Sequence, residues 1–267
     1  MLKDYLLQGH YNNIIETGCE SMSALIAIYG LIIGSFINVC IYRIPKGEEV
    51  VFTPSHCFSC GYRLKWYDLI PVFSYAFLQG KCRNCGESIS IQYPLVELAN
   101  SAMYVWIYLI FGSSIETVLY MFLASALLTI SVIDFKHMII PDSIVVFIGI
   151  LAIINLIFNI KLWLYFVVGF FVVSVILLVI AIITKGGMGG GDIKMMAVAG
   201  LLIGWDKILL ALMLGAILGS VVGVTLIALK IIERKQFIPF GPFLAAGVFA
   251  SALYGEEIIG WYLKLYQ

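Results

Sequence analysis

The chain has 267 residues, of which 62% are hydrophobic and only 12% are charged. An ordinary soluble domain carries about 25% charged residues, so this composition excludes a soluble, a disordered or a nucleic-acid-binding protein. Sixteen Lys and Arg residues balance sixteen Asp and Glu residues, so the net charge indicates no polyanionic partner. Residues 162–183 form an apolar run long enough to cross a hydrocarbon core of about 30 Å. The chain is therefore predicted to be a polytopic protein of the lipid bilayer.

Hydropathy predicts an all-α membrane protein with about eight transmembrane helices. The first apolar run, residues 22–42, is not preceded by the basic start of a signal peptide, so it is predicted to remain as a span after an N-terminal segment at 1–21. Residues 256–267 contain several aromatic residues and are expected to form an interfacial tail. The remaining seven spans are expected within residues 94–255, at 94–111, 117–135, 141–159, 162–183, 192–204, 207–231 and 240–254.

Residues 43–93 interrupt the apolar pattern with charged residues, turn residues and four cysteines. They are predicted to form a small polar domain between the first and second spans. If this domain is cytoplasmic, eleven basic residues lie on its side of the membrane and four on the other, with Lys194 set aside at the start of a span. The positive-inside rule then places both chain ends outside the cytoplasm. The eleven residues are Arg43, Lys46, Arg63, Lys65, Lys81, Arg83, Lys136, Lys185, Lys230, Arg234 and Lys235.

The four cysteines of this domain form two identical C-x-x-C-G patterns, Cys57 with Cys60 and Cys82 with Cys85. Two such knuckles supply the four thiolate ligands of a closed tetrahedral zinc site, and the following glycines permit the turn that each knuckle needs. Because four protein ligands leave no open position, the predicted role of zinc is structural. The alternative is two disulfides or a redox pair, which a reducing cytoplasm disfavours.

Three aspartates stand within or beside apolar runs: Asp134, Asp142 and Asp192. An acidic side chain at membrane depth is costly and is therefore a functional hypothesis. Two such acids from different spans would share a proton, so that one serves as a general base for water and the other as a general acid. That chemistry hydrolyses peptides. We expect Asp134 and Asp192 to be the working pair, whereas Asp142 follows Pro141 and is expected to act at a helix N-terminus or to support the pair.

Residues near these aspartates give supporting candidates. Gly189 and Gly191 belong to a glycine tract at 186–191 that would let backbone approach an extended peptide, although tight helix packing is the alternative. Lys136 and Lys194 each lie two residues beyond an acid and are either counter-charges or lysines that reach the interface. A fourth acid, Glu97, lies near the start of the second span, where helix capping explains it almost as well as catalysis.

Five blocks of the sequence form a recognisable pattern between about residues 26 and 250. They are residues 30–45, the cysteine region 57–97 with 66–71 and 93–97, the aspartates of 133–142, the Gly-rich 188–194, and residues 238–245. In these blocks the chain resembles the type IV prepilin peptidases, the prepilin leader peptidase/N-methyltransferases of the GxGD class of intramembrane aspartic proteases. The departures are slight: Ile44 and Ile140 stand where Leu is frequent, and the glycine tract is richer than the motif requires.

This resemblance implies two activities. One removes the basic leader peptide of type IV prepilins or pseudopilins at the cytoplasmic membrane face of a bacterium. The other methylates the new N-terminal amine with S-adenosylmethionine as methyl donor. It also implies that Asp134 and Asp192 are the proteolytic pair, and that the four-cysteine domain accompanies methylation.

Two other classes of function stay open from the residues alone. A secondary transporter would use intramembrane acids to bind protons or cations, and it predicts an internal symmetry that the sequence does not show. A zinc-scaffolded assembly protein without catalysis would leave the Gly-rich turn before Asp192 unexplained.

Overall fold

The computed structural model describes residues 2–185, 187–231 and 238–265, with side chains described from residue 21 onward. Gly186, Arg234 and Lys235, which the sequence analysis uses, lie outside the described residues, as do residues 266–267 of the predicted tail.

The described chain is helical and contains no β-strand. The prediction of an all-α membrane fold with a cysteine cluster between the first and second spans is confirmed. The helices are α1 (Leu2–Arg43), α2 (Phe73–Phe77), α3 (Gln92–Phe111), α4 (Ile115–His137), α5 (Asp142–Phe158), α6 (Trp163–Ile183), α7 (Gly190–Ile203), α8 (Trp205–Ala228) and α9 (Gly241–Lys264).

Every predicted span corresponds to a helix, but the helices differ in length. In the described part of the chain, six are long and apolar enough to cross a membrane: α1, α3, α4, α6, α8 and α9. The other two, α5 with 17 residues and α7 with 14, are shorter. A helix of 14 residues is about 21 Å long, less than the hydrocarbon core, so α7 depends on surrounding protein.

Two predicted segments continue neighbouring helices. The N-terminal segment 1–21 is helical from Leu2 onward and runs without a break into the first span. The predicted tail extends α9 as far as Lys264.

The chain divides into two compact units, of which the first comprises residues 1–39 and 51–117. Within it, α1 and α3 approach closely at two glycines. A Cβ atom at Gly30 would lie 2.7 Å from the Cα of Ser101, and one at Gly34 would lie 2.7 Å from the Cα of Glu97. The Asn100 side chain donates a hydrogen bond to the Gly30 carbonyl at 2.8 Å. Small residues that let helices touch are typical of membrane proteins, where van der Waals packing and hydrogen bonds drive association.

The second unit comprises residues 40–50 and 118–267 and contains most of α4 and all of α5 to α9. Within it, the short helix α7 packs against α5, α6, α8 and α9. Its Met195, Met196 and Leu202 side chains are completely buried. Gly169 of α6 and Gly200 of α7 each face the other's carbonyl group so closely that neither position has room for a Cβ atom. Asp192, in the first turn of α7, is buried within the unit.

Candidate active site and metal centre

Asp134 lies in the last turn of α4, where its side chain is 6% exposed. The Gly241 N–H, at the first residue of α9, donates a hydrogen bond to Asp134 Oδ2 at 3.0 Å. A Cβ atom at position 241 would lie 2.7 Å from that oxygen, so only glycine allows this contact without a shift. The start of α9 therefore fixes the position of the Asp134 carboxyl group.

Asp192 lies in the first turn of α7 and is 8% exposed. Gly189, just before α7, lies beside the Oδ2 oxygen of its carboxyl group. The other oxygen, Oδ1, is buried and has no hydrogen-bond partner among the described residues. A buried polar atom without a partner calls for an explanation, and one explanation is a water molecule or a substrate group that binds there.

The carboxyl groups of Asp134 and Asp192 are close enough to interact electrostatically. They come from different helices of the same compact unit, as the sequence analysis expects of a working pair. Two buried carboxyl groups that interact in this way disfavour double ionisation, which is the property that acid–base catalysis by such a pair requires.

Asp142 is the first residue of α5. Its carboxylate thus lies in the first turn of α5, and it forms an ion pair with Lys194 at 2.9 Å, with side chains 71% and 58% exposed. Lys194 is thus the counter-charge of Asp142 and not of Asp192, two residues before it. An exposed pair of this kind contributes at most about 1 kcal/mol. Lys136 is also exposed.

Gly191 has a packing role in the structure. A Cβ atom at this position would lie 2.7 Å from the Cβ of Ile140, in the segment between α4 and α5. The glycine therefore lets the N-terminus of α7 approach the residues that follow Asp134. Gly189 instead lies against the Asp192 carboxyl group, where a Cβ atom would be 3.0 Å from Oδ2.

Glu97 does not cap its own helix, because it is the sixth residue of α3. The sequence analysis weighed two roles for Glu97, and the prediction that it caps α3 is therefore wrong. The buried carboxylate accepts a hydrogen bond from the Val72 N–H at 2.7 Å. Val72 has a φ of 61°, and the Phe73 N–H bonds to the Pro71 carbonyl at 2.6 Å. This three-residue turn is strained for a β-branched residue, and the Glu97 hydrogen bond holds it.

The four predicted metal ligands, Cys57, Cys60, Cys82 and Cys85, come together as the sequence analysis expects. Their Sγ atoms all lie within 4.8 Å of one another, and the Sγ atoms of Cys57 and Cys85 are 3.8 Å apart. Tetrahedral zinc with Zn–S bonds of about 2.3 Å requires sulfur atoms about 3.8 Å apart. The cluster can therefore bind a metal ion, and its dimensions fit zinc.

The two knuckles have matching backbone geometry. Gly61 and Gly86 adopt φ values of 71° and 73°, and their N–H groups bond to the carbonyls of Cys57 and Cys82 at 2.9 and 3.0 Å. The Tyr62 N–H and the Asn84 side chain lower the pKa of Cys60 to about 6. Such N–H groups favour the thiolate, which is the form that binds a metal ion.

Two contacts of the site were not predicted from the sequence. One is the hydrogen bond that the Gly241 N–H donates to Asp134. In the sequence, only the Pro-Phe-Gly-Pro run around Gly241 draws attention to this position. The other is Asp68, whose side chain is 2% exposed and pairs with Arg83 Nε at 2.7 Å. Arg83 lies between Cys82 and Cys85, so Asp68 ties the second knuckle to the 3₁₀ turn at Trp66–Leu69.

Comparisons with known proteins give the same assignment over most of the chain. Residues 28–111 match the Bacterial Peptidase A24 N-terminal domain, and residues 121–224 match the Type IV leader peptidase family. The Prepilin leader peptidase/N-methyltransferase of Bacillus subtilis is 35% identical over 91% of this chain and 99% of its own length. The proteins of the same name from Pseudomonas putida and Pseudomonas aeruginosa are 32% and 31% identical, over 90% and 89% of this chain and 93% and 92% of their own lengths. No solved structure matches the chain significantly.

Proposed function

The chain belongs to the type IV leader peptidase family, and on that premise we propose that its proteolytic centre is the Asp134–Asp192 pair. It is a prepilin leader peptidase and N-methyltransferase, which removes the leader peptide of a prepilin and methylates the new N-terminal amine. The transporter function weighed from the sequence is not supported, because the relatives are named as peptidases and methyltransferases.

The observation that carries the proposal is the buried pair with its unpartnered oxygen. One aspartate takes a proton from a water molecule, whose oxygen attacks the carbonyl carbon of the scissile peptide bond. The other donates its proton to the nitrogen as the C–N bond breaks, which releases the amine of the mature pilin. The exchange returns one proton to the pair and requires no covalent enzyme intermediate.

A crevice beside the pair provides a place for a substrate side chain. It has a volume of about 290 Å³ and lies between α8 and the start of α9. Its Phe240 immediately precedes Gly241, whose N–H holds Asp134. We assign to it a large apolar side chain next to the scissile bond. The lining residues are Ala216, Gly219, Ser220, Ile238, Pro239, Phe240 and Phe243.

The finer features of the proposal concern zinc, the methyl donor and topology. The four thiolates would hold zinc, which organises a domain too small to build a substantial core of its own.

S-adenosylmethionine supplies the methyl group when bound. The crevice between α8 and α9 is lined mainly by apolar groups, which do not suit the charged amino-acid part of this donor, so we derive no step through it. The cysteine domain faces the cytoplasm, and the substrates are type IV prepilins or pseudopilins.

Cleavage of a leader-bearing prepilin by the purified protein in lipid vesicles tests the function. We expect mass spectrometry to show a shortened pilin and, with S-adenosylmethionine, a further gain of one methyl group. An intact prepilin after incubation with a protein that contains its metal would contradict the proposal.

A further inference from the structure

The cysteine domain carries an exposed apolar surface that catalysis does not explain. Trp66, Phe73 and Phe77 are 77%, 71% and 81% exposed, and Leu69 and Ile70 between them are also exposed. We call residues 66–77 the aromatic ridge. Its 3₁₀ turn packs against α2, and Phe73 and Phe77, four residues apart, lie on the same face of α2. Large apolar side chains grouped in this way mark an interaction surface.

The height of the ridge along the membrane-spanning helix α3 follows from one hydrogen bond. The Val72 N–H, just before Phe73, donates to the buried Glu97 carboxylate at 2.7 Å. Glu97 is the sixth residue of α3, so it lies about 8 Å along the helix from Gln92. A helix of 20 residues is about as long as the hydrocarbon core is thick. Because Val72 is bonded to a residue in the second turn of α3, the ridge begins at the level where the span enters the membrane and not above it.

The surface of α3 at this height is also apolar and exposed. Leu95 and Leu98, on either side of Glu97, are 56% and 49% exposed. Apolar side chains are therefore exposed both on the first turns of the span and on the ridge that is bonded to it. Exposed Lys65 and Lys81 flank the ridge, where their charges suit anionic lipid headgroups.

From the exposed ridge and its hydrogen bond to the start of the span, we propose that the aromatic ridge is embedded in the bilayer interface and docks the cysteine domain on the membrane. Aromatic side chains are enriched at that depth because their apolar rings and polar edges match it. Asp68 within the ridge forms an ion pair with Arg83, which lies between two of the metal ligands. Docking of the ridge therefore also sets the distance of the metal centre from the membrane surface. The proposal rests on the span α3 and does not depend on the proteolytic function.

Single-tryptophan reporters in the full-length protein, reconstituted in vesicles of phosphatidylcholine and phosphatidylglycerol, test this docking. One reporter retains Trp66, and a second carries F77W with Trp66 also replaced by Phe. The control carries F58W instead, at a residue of the first knuckle that is 59% exposed but outside the ridge. In all three, Phe replaces Trp106, Trp163, Trp205 and Trp261. Metal content equal to that of the unmodified protein shows that the domain is folded.

We expect lipids brominated near the carbonyl end of the acyl chain to quench both ridge reporters at least about twofold more than the F58W control. Aqueous iodide should quench the F58W control more strongly than it quenches the two ridge reporters. The double variant F73S/F77S, with its metal retained, should reduce the lipid quenching of Trp66. Equal quenching of all three reporters would overturn the proposal, as would ridge reporters that lipid does not reach. Protection of the ridge from iodide only after prepilin is added would identify a protein partner instead.

Discussion

At the scale of single residues, one backbone N–H of α9 holds the carboxyl group of Asp134. Substitution G241A would place a methyl group 2.7 Å from Oδ2, so the carboxyl group or the helix must move. A displacement of about 1 Å at a catalytic group costs about 100-fold in rate, and we expect a loss of kcat of that order. Substitution G260A, in the same helix but facing open space, is the matched control and should retain full activity. Steady-state cleavage kinetics of a G241A protein that matched the control would refute this role for Gly241.

The four cysteine side chains give a second prediction. We expect about one zinc ion per chain, bound by four thiolates. Substitution C60S should lower the zinc content measured by elemental analysis and loosen the cysteine domain towards proteases. Cys40 lies outside the cluster and is half-buried in α1, so C40S is the control and should leave zinc content unchanged. Zinc-free protein with Cys57 joined to Cys60 and Cys82 to Cys85 would show that the site is not a metal centre.

At the scale of helices, the pairing of α8 with α9 creates the crevice beside Asp134. A Cβ atom at Gly219 would lie 3.3 Å from the Phe240 ring and 3.4 Å from the Phe243 ring, so a larger side chain there fills the crevice. We expect G219L to cleave poorly a prepilin with a large apolar residue next to the scissile bond. The same variant should still cleave a prepilin with alanine at that position.

The control for this third prediction is G260L, which introduces the same side chain into open space. The measurement is kcat/KM for both substrates. Equal losses on the two substrates, or no loss on either, would show that the crevice does not hold the substrate side chain.

The fold and part of the site could be predicted from sequence because of a few local patterns. Asp134 and Asp192 were found because acids are rare in apolar runs, and the paired knuckles were found because their spacing fits one metal ion. The hydrogen bond from Gly241 to Asp134 could not be predicted, because a backbone N–H has no signature in sequence and joins residues 107 positions apart. The partner of Glu97 likewise lies 25 positions away, at a strained turn that the residue types do not indicate.

At the scale of the whole molecule, the protein combines two activities whose residues need not be shared. The cysteine cluster lies in one compact unit, and Asp134 and Asp192 lie in the other. We expect D134A to stop cleavage but to leave the methylation of a pilin supplied without its leader. Substitution C60S should lower methylation first. Mass spectrometry that scores both products decides this, and C60S protein that is folded but equally deficient in both activities would show that the two are not separable.

The central claim is that Asp134 and Asp192 act together as acid and base, whereas Asp142 does not. The most direct measurement is the rate of prepilin cleavage by D134N, D192N and D142N, in proteins with unchanged helicity and metal content. Asparagine preserves the shape of each side chain and removes the exchangeable acid proton. We predict no detectable cleavage by D134N or D192N and substantial cleavage by D142N, whose exposed carboxylate only pairs with Lys194. Substantial cleavage by either D134N or D192N, or complete loss in all three variants, would contradict this assignment.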